Sequence, residues 1–180
     1  MRRLMDLLAA FLIAGVVSLG IVPTPAMADS GLSYGYDFPT GLPQSFIAKQ
    51  GAFTPANAVG EITRDLNRFF PFRSECGPLT PGRVCNLENL GTKNPIRVVF
   101  VNGSVFRFVS LPGHFEGENR YITFTLYLKK QSNFPSQNPL YLKVSAEGPW
   151  TPGAQTSVTT GLAYGFWKQF AENIGARAFR

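Results

Sequence analysis

The chain is 180 residues long, with 17 Lys and Arg against 11 Asp and Glu, a formal net charge of +6, and 44% hydrophobic residues. That balance excludes a disordered polyelectrolyte and sets the prior at one folded domain after any leader is removed. Beyond the first residues the basic side chains are scattered, with only Lys129 and Lys130 adjacent. No stripe of the kind nucleic acid requires is present, so no nucleic-acid partner is expected.

The N-terminus reads as an export signal. Arg2 and Arg3 open it, a mostly apolar stretch from Leu7 to Val22 follows, and Ala26-Met27-Ala28 supplies small residues one and three places before a cut between Ala28 and Asp29. The apolar run is short for a membrane span of about 20 residues. The expectation is therefore a signal peptide over 1–28 and a secreted or cell-envelope protein that does not span the membrane after cleavage. Cleavage removes Arg2, Arg3 and Asp6, leaving 15 basic and 10 acidic side chains.

Residues 29–44, rich in Gly, Pro, Ser and Tyr, read as a flexible or edge-lying lead-in, and 45–180 as a single domain. Ser45 to Phe53 has the composition of a first strand. Thr54-Pro55 starts a helix, because Thr caps and Pro is tolerated at the first helical position. Val59, Ile62, Leu66, Phe69 and Phe70 recur at helical spacing until Pro71 stops the run.

Cys76 and Cys85 are the two cysteines of the chain, separated by a turn-rich segment. In an oxidising compartment they are expected to pair. Two cysteines and one histidine do not make a zinc site of usual spacing, so no metal is expected.

Strands follow. Val84 to Leu90 is a candidate. Ile96 to Val101 and Ser104 to Leu111 flank Asn102-Gly103, a strong hairpin signal. Tyr121 to Leu128 and Leu140 to Glu147 alternate cleanly: Ile122, Phe124, Leu126 and Leu128 share one face of the first, and Leu142, Val144 and Ala146 one face of the second. Gln131 to Pro139 reads as a polar loop. The last element, from about Pro152 to Arg177, reads as one long amphipathic helix with Val158, Leu162, Phe166, Phe170 and Ile174 four apart. Gly161, Gly165 and Gly175 lower its propensity and are expected to let it approach the sheet.

This α+β order of strand, helix, antiparallel strands and long helix resembles the helix-grip superfamily (SRPBCC or START-like), in which a curved antiparallel sheet wraps a long C-terminal helix. Asn94-Pro95-Ile96-Arg97-Val98-Val99, then Leu111-Pro112-Gly113-His114-Phe115-Glu116-Gly117-Glu118, is similar to an uncharacterised family with the pattern N-P-x-R-V-V … T-L-P-G-H-x-E-x-G-E. The overlap covers roughly residues 94 to 128. Ser110 stands where that family has Thr, and export with a disulfide is a further departure. The resemblance implies a fold and no reaction or cofactor.

The resemblance directs attention to the space between sheet and helix. Phe106, Phe108, Phe124, Leu126, Leu142, Val144, Phe166 and Phe170 would line it, and a small apolar, aromatic or lipid molecule is the partner such walls suit. The rival reading uses the polar cluster from Gly113 to Arg120. His114 with Glu116 or Glu118 would act as acid and base and Arg120 would hold an anion, as in a small secreted ribonuclease. A third reading is an envelope protein acting through the Tyr, Thr and Lys face of the last two strands. No G-x-S-x-G elbow or phosphate-binding loop is present, and the chain reads more readily as a binding domain than as an enzyme.

Overall fold

The computed structural model describes residues 31–42, 54–89, 91–130, 133 and 138–177. The expected signal peptide, the strand expected over Ser45 to Phe53, Leu90 and most of the Gln131 to Pro139 loop lie outside the described residues.

The elements in chain order are β1 (Leu32–Pro39), α1 (Pro55–Arg64), α2 (Leu66–Phe69), β2 (Arg73–Ser74), β3 (Val84–Asn89), β4 (Thr92–Asn102), β5 (Val105–Ser110), β6 (Tyr121–Leu128), β7 (Leu140–Gly148), α3 (Pro152–Thr159) and α4 (Leu162–Arg177). The seven strands form one antiparallel sheet in the order β1-β7-β6-β5-β4-β3-β2. The helices cover one face of it, giving a curved α+β helix-grip architecture.

Local chemistry accounts for most boundaries. The Thr54 hydroxyl accepts the Asn57 N–H at the start of α1, with Pro55 at the first helical position. The expected single helix to Phe70 instead breaks at Asp65, whose backbone leaves helical geometry. Six consecutive strands pair with neighbours in sequence, so β2 to β7 form a meander. The expected β4–β5 hairpin forms, but its two turn residues are Gly103 and Ser104, with Asn102 paired to Val105. A register shift between Val98 and Phe100 marks a bulge, which bends the strand and strengthens its twist.

Of the two forms expected for the lead-in, flexible or edge-lying, Leu32–Pro39 takes the second and pairs with β7 along its whole length as an edge strand. Tyr34, Tyr36 and Phe38 alternate toward the core, which is the burial that holds the strand in place. The C-terminal helix, expected as one, is instead two helices. Gly161 sits at φ 75°, a left-handed conformation that ends α3 and re-aims the chain into α4.

That break changes the buried face. In α4 the inward residues are Ala163, Trp167, Phe170, Ala171 and Ile174. Leu162 is exposed and Phe166 half-buried. A stripe at strict four-residue spacing drifts by about 40° per step around a helix of 3.6 residues per turn, so its early members leave the core face. Of the three glycines expected to permit close approach, Gly175 packs against the Thr40 carbonyl, whereas Gly165 has open space around it.

The core sits between the β1-β7-β6-β5 half of the sheet and the helices. Phe70 is its hub, with ring contacts to Phe72, Phe108, Phe124, Trp167 and Phe170. Phe106 stacks on its cross-strand partner Phe124 at 4.7 Å. The Cys76–Cys85 disulfide forms as expected, ties the segment after β2 to β3, and is buried.

Candidate functional site

The β5–β6 connection is the structural centre of the site. It is pinned from both sides by its own backbone: Ser110 N–H donates to the Arg120 carbonyl and Asn119 N–H to the Ser110 carbonyl. The Ser110 hydroxyl accepts the Arg120 N–H at 2.9 Å. Leu111 N–H reaches Pro95 on β4, and Asn94 Oδ1 accepts the Phe115 N–H at 2.9 Å. The Thr151 hydroxyl donates to the Glu116 carbonyl at 2.6 Å while accepting the Ala154 N–H as the cap of α3. Gly153 in the first turn of α3 lies against the Phe115 carbonyl. A Cβ there would stand 1.9 Å from that oxygen, so only glycine permits this approach.

Arg120 is fully buried. Its Nη1 donates to the Pro149 carbonyl at 2.6 Å and its Nη2 to the Leu32 carbonyl at 3.0 Å. Its Nε lies 3.5 Å from Glu116 Oε2, an ion-pair contact without hydrogen-bond geometry. The Tyr34 hydroxyl donates to the same carboxylate at 3.2 Å. The guanidinium therefore clamps β1, the end of β7 and the loop. A charge buried this deeply is tolerated because its partner and two carbonyls surround it. Burial first, and then the Glu116 carboxylate, push the Tyr34 phenol above its ordinary range, so it stays protonated as a donor. The Trp167 ring nitrogen is near enough to the phenol to favour its ionised form slightly, yet makes no hydrogen bond.

His114 does not pair with a carboxylate. Its Nδ1 accepts the backbone N–H of Glu116 at 3.1 Å, so the neutral ring carries its proton on Nε2. Burial, and then the charge of Arg120, pull its pKa down to about 4. The acid–base couple expected of His114 with Glu116 or Glu118 is not what forms. The Glu116 carboxylate faces Arg120 and Tyr34, and Glu118 is exposed. Arg120 points into protein rather than toward a bound anion.

Beside this loop lies a cavity of about 220 Å³ between the β3 to β6 part of the sheet and helices α3 and α4. The sheet contributes Leu87, Asn94, Ile96, Phe108 and Ile122, with Asn89 and Thr92 at the β3–β4 end. The helices contribute Ser157, Leu162, Ala163, Phe166 and Trp167. Phe72, His114, Phe115 and Glu116 complete the wall. Phe115 and Leu162 are substantially exposed and mark the rim.

Of the eight side chains expected to line a space, Phe108 and Phe166 reach this cavity. Phe106, Phe124, Leu126, Leu142, Val144 and Phe170 pack in the solid core beside it instead. His114 and Glu116, named for the rival reading, form part of the cavity wall. Sequence reasoning missed Phe72, Leu87, Ile96, Ile122, Ala163, Trp167 and Ser157. Ile122 carried a usable signal, since it alternates on the same face as Phe124; the cover supplied by Phe72 and Ser157 carried none.

The outer sheet face is knit by its own side chains. Arg107 lies over the Tyr121 ring at 4.4 Å and pairs with Glu147. Lys129 lies over Tyr141 at 4.7 Å, and Tyr127 donates to Asp37 at 3.1 Å.

No family model and no curated protein matches the chain, so the motif text of residues 94 to 118 stands as a resemblance read from the residues. Solved structures do match. The protein XoxI from Bacillus cereus aligns with a TM-score of 0.53 at 15% identity, covering 83% of this chain and 96% of that one. A protein from Mesorhizobium loti gives 0.52 at 14%, covering 82% and 96%. The Aha1 dimer from Colwellia psychrerythraea gives 0.51 at 12%, covering 81% and 97%. At these identities the likeness is one of fold, and the fold shared over nearly the whole of each neighbour is the helix grip.

Proposed function

We propose that the chain is an exported, non-enzymatic domain that binds a small apolar molecule between its sheet and its C-terminal helices. The observation that carries this reading is the cavity of about 220 Å³ walled mainly by aromatic and aliphatic side chains. An apolar cavity of about 150 Å³ stays dry and admits benzene, so a space of this size has room for a small apolar molecule without rearrangement. The exposed Phe115 and Leu162 at the rim supply an apolar entrance. Export is supported by the leader sequence and by a disulfide, a bond that persists in oxidising compartments. Among the described residues no helix is long and apolar enough to cross a membrane.

Naphthalene titrated into the protein and followed by calorimetry tests the reading. Saturable binding is expected, and Ala163→Phe, which fills the cavity from α4, should abolish it while the protein still unfolds cooperatively. Absence of binding to the wild type, or binding unchanged in Ala163→Phe, rejects the proposal. For export, the mass of the protein recovered from an exporting host should correspond to a chain beginning at Asp29.

A further inference from the structure

The cavity wall is not uniformly apolar, and its polar groups differ in how they are occupied. Asn94 is spent: its Oδ1 takes the Phe115 N–H and its Nδ2 donates to the Thr92 carbonyl. Glu116 is engaged by Tyr34 and Arg120. His114 is half spent. Its Nδ1 faces the loop backbone, which leaves the opposite ring edge, with Nε2–H, unpartnered among the described residues at the cavity wall. Ser157 is buried in α3, lines the same cavity, and its hydroxyl has no partner among the described residues. The Trp167 ring N–H, on the same wall, is buried and likewise without a partner, and donors facing a cavity without a protein partner favour a guest that accepts from them.

Charge narrows the guest further. Glu116 is part of the wall, with its carboxylate turned toward Tyr34 and Arg120, while Arg120 is fully buried and does not line the cavity. An anion entering would find no exposed cation to hold it. A cation would shed its water against an N–H donor and a carboxylate already paired. Volume sets the frame: if about 150 Å³ takes one aromatic ring, a space half as large again takes two fused rings.

We infer that the cavity selects a neutral, bicyclic aromatic molecule bearing one hydrogen-bond-accepting oxygen, held by His114 Nε2–H and the Ser157 hydroxyl. This rests on the apolar-ligand reading above and specifies it.

A set of near-isosteric probes tests it at neutral pH: naphthalene, 1-naphthol, 1-naphthoate and 1-naphthylmethylammonium, each titrated by calorimetry. The expected order is 1-naphthol first, binding about five- to tenfold more tightly than naphthalene, which is what one neutral hydrogen bond to a buried donor yields. The two ions should bind more weakly than naphthalene. Ser157→Ala and His114→Phe should each reduce the naphthol advantage, and the double variant should erase it, the advantage being read within each variant as the ratio of its 1-naphthol to its naphthalene affinity. Ser157→Ala alone keeps the test valid if the loop of His114→Phe does not fold. The outcomes separate the two claims. Failure of naphthalene to bind the wild type overturns the apolar-ligand reading itself. Naphthalene binding with 1-naphthol no tighter, with either ion preferred, or with an advantage that survives in the variants overturns only this assignment.

Discussion

The sheet carries two aromatic regions that differ in what covers them. Over β1, β7, β6 and β5, helices α1, α2 and α4 and the residue after α2 bring Phe69, Phe70, Phe170 and Ile174 into one buried cluster with Phe106, Phe124, Leu126 and Val144. Toward β3 and β4 the cover thins to Phe72, Phe166, Trp167, the β5–β6 loop and Ser157 of α3, and a cavity remains. Aromatic side chains are abundant in both. What separates a solid core from a binding site is therefore the placement of helices, not the composition of the sheet face.

Truncation should divide the two regions most sharply. Phe124→Ala opens a void where Phe70, Phe106, Phe108, Trp167 and Phe170 all converge, and a loss of about 3–5 kcal/mol is expected from chemical denaturation. Phe166→Ala removes a half-buried wall that already borders empty space, and a loss of about 1 kcal/mol is expected. Equal losses at the two positions would break the comparison.

The disulfide gives the next largest effect, and it falls on the thinly covered side. Cys85 lies in β3 two residues before Leu87, a cavity wall residue. Replacing both cysteines by Ser should cost about 2–3 kcal/mol, the value of closing so short a loop. Hydrogen exchange should then accelerate first in β2 and β3, with β6 and β7 keeping their protection. Uniform acceleration across the sheet would mean that the two regions unfold as one unit.

How far these regions were legible in the sequence follows from the same contrast. The alternation in Tyr121 to Leu128 and Leu140 to Glu147 places the solid core's sheet side correctly, because period two survives wherever one face is buried. The cysteine pair and the β4–β5 hairpin are legible because each depends on neighbours in sequence. The cavity is not. It needs Phe72 from the link after α2, Ser157 from α3 and the shift of face at Gly161, and no local pattern encodes how far those segments lie from β3 and β4. The β1 strand was half legible for a similar reason: Gly and Pro leave residues 29–44 readable as flexible or edge-lying until the edge of β7 supplies a partner.

A pH dependence, smaller than the losses at Phe124 and the disulfide, belongs to the cavity side alone. His114 is the one histidine of the chain, so a histidine slope can come from nowhere else. Its pKa in the folded protein is about 4 against an ordinary value of 6.5. Above 6.5 the ring is neutral in both states and contributes its full stability. Between 6.5 and 4 the unfolded chain takes up a proton that the folded chain refuses, so stability falls as pH falls. One pKa unit corresponds to about 1.4 kcal/mol, and solvent entering at the cavity mouth damps the shift, so a loss of about 1–2 kcal/mol across that window is expected. His114→Gln should flatten this part of the profile and leave the carboxylate contribution below it. An unchanged profile in that variant would place the imidazole in water rather than in the wall. In the folded protein the ring takes up its proton only as pH falls through about 4, and there Nδ1 turns from acceptor to donor against the Glu116 N–H, so affinity for an apolar guest should weaken around pH 4 rather than across the whole window, which Phe124 and its neighbours cannot produce.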